Sequence, residues 1–556
     1  MSSQVLHAQP TSDSSWAPRR EPAWIPIVVA AVFFALTLIQ VSNHVMWRDE
    51  IRTWQVCAPA SGLISLWHDM RYEGVPVLWY WIVFALTRLT SNPFAMQFVH
   101  TLIATATIYL VARFAPFTLP ARILFALGYF PLFEYAAITR NYALVFLFLV
   151  IACILISRPS ASLWALAGVL FLLTQVSIWG AGFAGLMVMA GAAKALWQGE
   201  RIKRIILPAA LVLLGVVLCV IEVRPGPGPT FVGSWRDAPQ AQRVFGSFAA
   251  VYRGWFPIPT WSEHFWNTNV LDRWRGVDPP DSAAEDRAQT IWLGVQAVLG
   301  VVALAGALLL VRRRPLALGV LLAGSLALIA FEYFFRGFAR HHGHLFMLLI
   351  AAFWLAQTTP TWAIDSSIAA SSTSAARLDR FRHFALLSLL SINAIAGIGA
   401  ATAGLLLPFS ATRATASYIR KNFDPGINLV GVLDYCTSPI AQWLGRPIYF
   451  PQMHRAANYN TQDDAQRIQN ITEEELMPQL VGLIDSSGRD AVVIFSSDLV
   501  LATRDFDNRI HFNGKDLILR VRRVAAFPHS VEASEKTIVF YVSLVPVPAG
   551  AGILRP

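Results

Sequence analysis

The sequence predicts a polytopic α-helical membrane protein carrying a water-soluble α/β domain at its C-terminal end. Three observations predict it. Of the 556 residues, 55% are hydrophobic and 14% charged, whereas a soluble chain carries about a quarter charged residues. Apolar runs of near-spanning length recur between residues 24 and 408, and a bilayer crossing takes about 20 such residues. Basic residues gather between the runs, at Arg19 and Arg20, Arg201 to Arg204, Arg312 to Arg314 and Arg377 to Arg382. The net charge of +10 therefore reads as the positive-inside pattern and not as nucleic-acid binding.

About twelve runs are recognisable, from 24–42 to 384–408. The first, Trp24 to Val41, follows a basic pair, lacks a small-residue cleavage site, and reads as a retained signal anchor. Runs between 75 and 157 are short and broken by Pro76, Pro93, Pro116, Pro120 and Pro131. The basic loops put residues 43–74, 224–289 and everything after 409 on the exoplasmic side, which an even number of crossings contradicts. Eleven to thirteen transmembrane helices, with a partly embedded segment near 75–157, restore the parity, since non-helical backbone is tolerated at membrane depth where it lines a cavity. The expected domains are a cytoplasmic tail (1–23), a transmembrane domain (24–408) with outer loops 43–74 and 224–289, and an exoplasmic, periplasmic α/β domain (409–556).

In that last unit, Leu429 to Leu433, Ile448 to Phe450, Ala491 to Ser496, Leu517 to Val521 and Thr537 to Val545 read as strands, being β-branched or aromatic and bounded by turn residues. Ala465 to Asp485 has helical spacing, with Thr472 and Glu475 as a capping box. Of the four cysteines, Cys153 and Cys219 lie in apolar runs, while Cys57 and Cys436 lie in polar segments where a bridge is open. There is no Walker or dinucleotide glycine motif, and Arg224 to Thr230 reads as a stiff linker.

The first outer loop opens on Met46-Trp47-Arg48-Asp49-Glu50, immediately after the first run. Adjacent carboxylates with Arg48 and Arg52 beside them can have their protonation tuned by burial and charge, as a general base requires. The alternative is a charge cluster that ends the helix. A second cluster, Glu332 to His344, carries Arg336, Arg340, His341, His342 and His344 on the expected outer face, against the orientation rule. Lipid phosphate explains such arginines, which donate two parallel hydrogen bonds to it. The histidines lack i, i+4 spacing and Gly343 is expected to break the run, so a divalent metal is a weaker reading and no cofactor is demanded. Residues 224–289 interleave Tyr252, Trp255, Phe256, Trp261, Phe265, Trp266 and Trp274 with arginines, which suits a roof over a glycan or a loop on the membrane; Glu263 and His264 read as a solvated pair.

An acidic pair after the first transmembrane helix, then an amphipathic outer loop, resembles the GT-C glycosyltransferases that use polyprenyl-phosphate sugars, including protein mannosyltransferases and the aminoarabinose transferase. His68-Asp69-Met70-Arg71-Tyr72-Glu73-Gly74-Val75-Pro76-Val77-Leu78 is similar to the family's His-Pro-Pro-Leu region, with Val75 in place of the first proline. Thr139-Arg140-Asn141-Tyr142-Ala143-Leu144 resembles a Ser-Arg-x-Tyr-Ala-Leu segment of bacterial members. The resemblance implies a GT-C architecture in the cell inner (plasma) membrane and an inverting transfer of sugar from a polyprenyl-phosphate carrier to an exoplasmic lipid, glycan or protein. It implies Asp49 and Glu50 as catalytic residues serving the acceptor or a metal, and His68, Glu73, Arg140 and Tyr142 as substrate contacts; the basic cluster's own chemistry adds Arg336, Arg340, His341 and His342 as substrate contacts at the lipid phosphate. The rival reading is a transporter or flippase using Glu134, Arg140 and Glu222; it predicts paired hydropathy repeats, which the sequence lacks.

Overall fold

The runs of apolar residues fold into helices because in a bilayer each backbone N–H and C=O must be satisfied within the segment. The computed structural model describes residues 21–159, 162–224, 238–274, 282–359, 372–461, 467–468, 471–496 and 505–547. The Arg19 and Arg20 pair and most of the 224–230 linker lie outside them. In order come α1 (Trp24–Asn43), α2 (Arg48–Cys57), α3 (Leu63–Asp69), α4 (Val77–Leu89), α5 (Phe94–Phe114), α6 (Leu119–Ala126), α7 (Tyr142–Ser157) and α8 (Leu163–Thr174). There follow α9 (Ile178–Trp197), α10 (Ile202–Val223), α11 (Gln240–Trp255), α12 (Ser282–Val311), α13 (Pro315–Phe334), α14 (Ala339–Thr358) and α15 (Ser372–Leu406).

Among the described residues seven of these are long and apolar enough to span a membrane: α1, α5, α9, α10, α13 and most of α12 and α15. The remaining expected crossings map onto the shorter apolar helices α4, α7 and α8, onto α6, and onto α14, which is buried from Arg340 to Ala356. The chain is a multi-pass α-helical membrane protein with a C-terminal sheet domain.

The 121–137 run is where helix fails. After α6 the chain makes a π-helical turn, Tyr129–Glu134, and stays irregular to Asn141, every residue but Arg140 being buried. Pro131 removes a backbone donor there. Gly397 of α15 lets this break pack close, since a Cβ at 397 would stand 2.3 Å from the Leu127 carbonyl oxygen. Gly343 does not break the 332–344 segment as expected. It lies inside α14, and its missing side chain admits Tyr135, whose Oη would stand 2.1 Å from a Cβ.

The C-terminal domain holds α16 (Thr412–Asn422), β1 (Asn428–Val432), α17 (Asp434–Leu444), β2 (Ile448–Phe450), β3 (Arg455–Ala457), α18 (Glu473–Ser487), β4 (Ala491–Ser496), β5 (Phe506–Phe512), β6 (Lys515–Phe527) and β7 (Thr537–Pro546). The seven strands run in the order β3-β2-β1-β4-β7-β6-β5, with β1 parallel to β2 and β4 and the other pairs antiparallel. Alternation sends Val430 and Val493 to one face, under Leu476 and Leu480 of α18. Leu429, Val492 and Ile494 go to the other, under Ile440 of α17 and Ile419 of α16. Thr472 and Glu475 form the expected capping box. All four cysteines are free and buried, so Cys57 and Cys436 make no bridge.

Candidate functional site

Asp49 and Glu50 open α2, a helix buried along almost all its length between the transmembrane bundle and the C-terminal domain. Adjacent residues on a helix point about 100° apart, and the two carboxylates part accordingly. Glu50 turns inward and is wholly buried. Its Oε2 meets His44 Nε2 at 2.7 Å and accepts the Trp47 backbone N–H at 3.2 Å, and its Oε1 accepts the Thr139 N–H at 2.5 Å. Glu50 thereby ties the end of α1 and the irregular 129–141 segment to α2.

Asp49 turns outward, its side chain 31% exposed. Its Oδ2 lies 3.6 Å from Arg140 Nη1 and 3.5 Å from Arg340 Nη2, while Arg48 Nε stands 4.0 Å from Oδ1. Arg140 Nη1 also donates to the Asp49 carbonyl at 2.5 Å. Burial alone pushes the Asp49 pKa up, but Arg140, Arg340, Arg48 and Arg52 outweigh it and hold the carboxyl below the ordinary aspartate value. Arg340 is boxed by aromatic rings, with its guanidinium carbon 4.9, 5.4 and 5.8 Å from the ring centres of Phe338, Trp47 and Trp266.

Tyr142 and His341 sit one layer further in. The Phe338 N–H donates to His341 Nδ1 at 3.0 Å, so Nε2 carries the proton and donates to Tyr142 Oη at 3.0 Å. His342 leaves the cluster, its Nε2 3.8 Å from Glu332 Oε2. Glu73 is chelated by Arg52 through contacts of 2.6 to 2.8 Å and accepts from Tyr80 Oη at 3.1 Å. His68 is exposed on α3, and Arg336 is exposed in the turn ahead of α14. The structure thus gathers Asp49, Arg140 and Arg340, seats Glu50, Tyr142 and His341 behind them, and spreads the remaining candidates. Among the described residues no three His, Cys, Asp or Glu side chains are placed to hold a metal.

Sequence reasoning missed the contribution of the C-terminal domain. The Arg48 N–H donates to Glu535 Oε1 (2.7 Å) and its guanidinium to Ser534 Oγ (2.5 Å). Arg52 Nη1 donates to the carbonyl and Oδ1 of Asn460 (3.0 and 2.7 Å), and Gln55 Nε2 to the Ser438 carbonyl (2.9 Å). Burial pushes the Glu535 carboxyl up to about 8 against the pull of Arg48. Glu263 and His264 are no solvated pair. Glu263 accepts the Ser530 N–H at 3.1 Å, and His264 lies 3.2 Å from the Val531 carbonyl and 2.9 Å from Lys536 Nζ. The aromatic loop is therefore fastened to the same domain. It buries Trp266, whose Nε1 donates to Glu134 Oε2 at 3.0 Å.

The chain matches no protein-family model and no curated protein sequence. Among solved structures it is similar to ArnT from Cupriavidus metallidurans bound to undecaprenyl phosphate, at 13% identity and a TM-score of 0.40, over 93% of this chain and 97% of that one. It is similar also to the same protein in the apo state, at 12% identity and a TM-score of 0.36 over the same shares.

Proposed function

We propose that this chain is a membrane glycosyltransferase of the GT-C type, which moves a sugar from a polyprenyl-phosphate carrier to an acceptor on the exoplasmic face of the inner membrane. The observation that carries the reading is Asp49, an open carboxylate held between Arg140 and Arg340 at the mouth of a buried polar cluster. Contacts of 3.5 and 3.6 Å are loose for charge-assisted bonds, so both guanidinium groups keep donors for a phosphate. An ionised Asp49 beside them accepts the hydrogen bond of an incoming hydroxyl. As the acceptor oxygen bonds to the anomeric carbon from the face opposite the phosphate, the bond from that carbon to the phosphate oxygen breaks. The lipid phosphate leaves with the electron pair toward Arg140 and Arg340, and the acceptor proton passes to Asp49. Glu50 holds the carboxylate in place from behind, without touching substrate.

The test is binding of undecaprenyl phosphate to the purified full chain in one detergent. Arg340→Ala and Arg140→Ala should each weaken it by roughly ten- to a hundredfold, the size of a lost charged contact. Arg340→Lys should stay impaired, since lysine lacks the planar fork. Unchanged affinity in both alanine variants overturns the assignment.

A further inference from the structure

We infer that Glu134, with Trp47, Thr139 and Arg340, binds the sugar ring of the lipid-linked donor, and that Trp266, which covers Glu134, must give way to it. The inference rests on the glycosyltransferase reading and names the part of the site that reads the sugar. Four buried polar atoms in the shell behind Arg340 and Glu50 have no hydrogen-bond partner: Trp47 Nε1, Glu134 Oε1, Thr139 Oγ1 and Arg340 Nε. Native interiors leave few such atoms, because each costs about 1–3 kcal/mol. Ten other side-chain atoms among the described residues also lack a partner, but these four belong to side chains linked to one another through Arg340, Trp266 and Glu50, and that linkage is what points to a ligand here.

The four residues belong to one connected shell. Trp47 meets Trp266 edge to face at 4.7 Å, and Arg340 lies over both rings. Trp266 donates to Glu134, and the Thr139 N–H anchors on Glu50, whose other oxygen accepts from Trp47. Glu134 is presented by the π-helical turn, and such turns recur at functional sites. It makes no ion pair among the described residues; its Oε2 accepts from Trp266 Nε1 and, at 3.4 Å, from Tyr129 Oη, and its buried Oε1 accepts from nothing.

The chemistry of the orphans selects the ligand. Two N–H donors, one hydroxyl and one carboxylate oxygen suit a ring bearing several hydroxyls, each of which both donates and accepts. Indole faces pack on the C–H face of such a ring. A phosphate fits poorly, since Glu134 repels it, and it has Arg140 and the outer edge of Arg340 instead. The Trp266 N–H stands on Glu134 as a sugar hydroxyl does, and the four orphans are shut from solvent. Sugar entry therefore requires the 256–269 segment to lift Trp266 from Glu134.

Two probes separate the parts: undecaprenyl phosphate alone, and the same lipid phosphate carrying a pentose or a hexose. For wild type, at least one sugar should tighten binding about tenfold or more over the bare lipid. Glu134→Gln and Thr139→Val should each remove most of that gain and leave affinity for the bare lipid unchanged. Trp266→Phe should keep the gain or increase it, because the ring no longer holds Glu134. Glu222→Gln, at a carboxylate that accepts from the Val77 N–H instead, should behave as wild type. Thr139→Val guards against misfolding, since it exchanges an unsatisfied hydroxyl for a methyl and should not lower the melting temperature. The inference is overturned if no sugar tightens binding to wild type, or if both Glu134→Gln and Thr139→Val keep the gain. Failure of wild type to bind even the bare lipid overturns the transferase reading itself.

Discussion

Asp49→Asn should move two properties in opposite directions. The substitution removes one negative charge and keeps the shape, and 31% exposure lets water replace part of what the arginines lose. Oδ2 lies 3.5 Å from Arg340 and 3.6 Å from Arg140. A phosphate on the far side of either guanidinium then stands about two such contacts away, roughly 7 Å. At an effective dielectric constant of about 40 to 80, the repulsion between carboxylate and phosphate is about 0.6–1.2 kcal/mol. Removing it should tighten undecaprenyl phosphate binding by about three- to eightfold. Turnover should fall by roughly a hundredfold or more, the scale of a lost general base. Binding to purified protein and consumption of the lipid-linked sugar in membranes read the two effects, with the melting temperature as the check on folding. Wild-type turnover in folded Asp49→Asn protein refutes the catalytic role. Unchanged or weaker lipid binding refutes the sharing of arginines between aspartate and phosphate.

Two further outcomes follow from the surroundings of Asp49. Glu50→Gln should lower the melting temperature more and turnover per folded molecule less than Asp49→Asn, because it breaks a buried set of contacts whose disruption costs about 3–5 kcal/mol; calorimetry and an activity assay on the same preparations compare them. The attachment of the C-terminal domain to α2 should weaken as pH rises, because a carboxyl raised from 4.5 to about 8 stabilises the folded form when protonated and loses that contribution as pH rises through about 8. Limited proteolysis between pH 5 and 9 should show this, and Glu535→Gln should flatten the profile.

Much of the fold was legible because membrane helices and strands follow simple periodicities. Five strands were readable from β-branched and aromatic runs, and the structure adds β3 and β5. β3 has three residues, Arg455–Ala457, too few for alternation to register. β5 was legible in principle. Phe506–Phe512 pairs with the strand from Lys515 across Asn513 and Gly514, both at positive φ, which is the Asn-Gly hairpin signature. Its exposed Asp507, Asn508 and Arg509 hid the strand from a search for apolar runs. The π-turn at 129–134 was half visible, since Pro131 predicted a break, but the stability of its irregular backbone comes from the close approach of α15 and α14, which no local pattern encodes.

The site was legible to the extent that its residues are neighbours in sequence, and neighbours on a helix diverge. Reading Asp49 and Glu50 as one acidic pair ignored the turn of about 100° per residue, which sends one carboxylate to the opening and the other into the core. The same rotation distributes His341 to Tyr142 and His342 to Glu332, while the ring of His344 stacks on Trp179 at 4.8 Å. His341 and His344 thus stay together, both packed on Tyr142 and Trp179, and only His342 leaves for Glu332. What assembles around Asp49 comes instead from the N-terminal end of α2, the break before α7, the start of α14 and the aromatic loop, which lie up to about 290 residues apart (Asp49 to Arg340). Charge balance is the property that selects this cluster over the other acid–base pairs. Glu73 with Arg52 and Glu50 with His44 are buried, paired and satisfied. Among these carboxylates Asp49 is the open one, and the two guanidinium groups it faces hold more N–H donors than its oxygens take up, leaving donors that a further anion can complete.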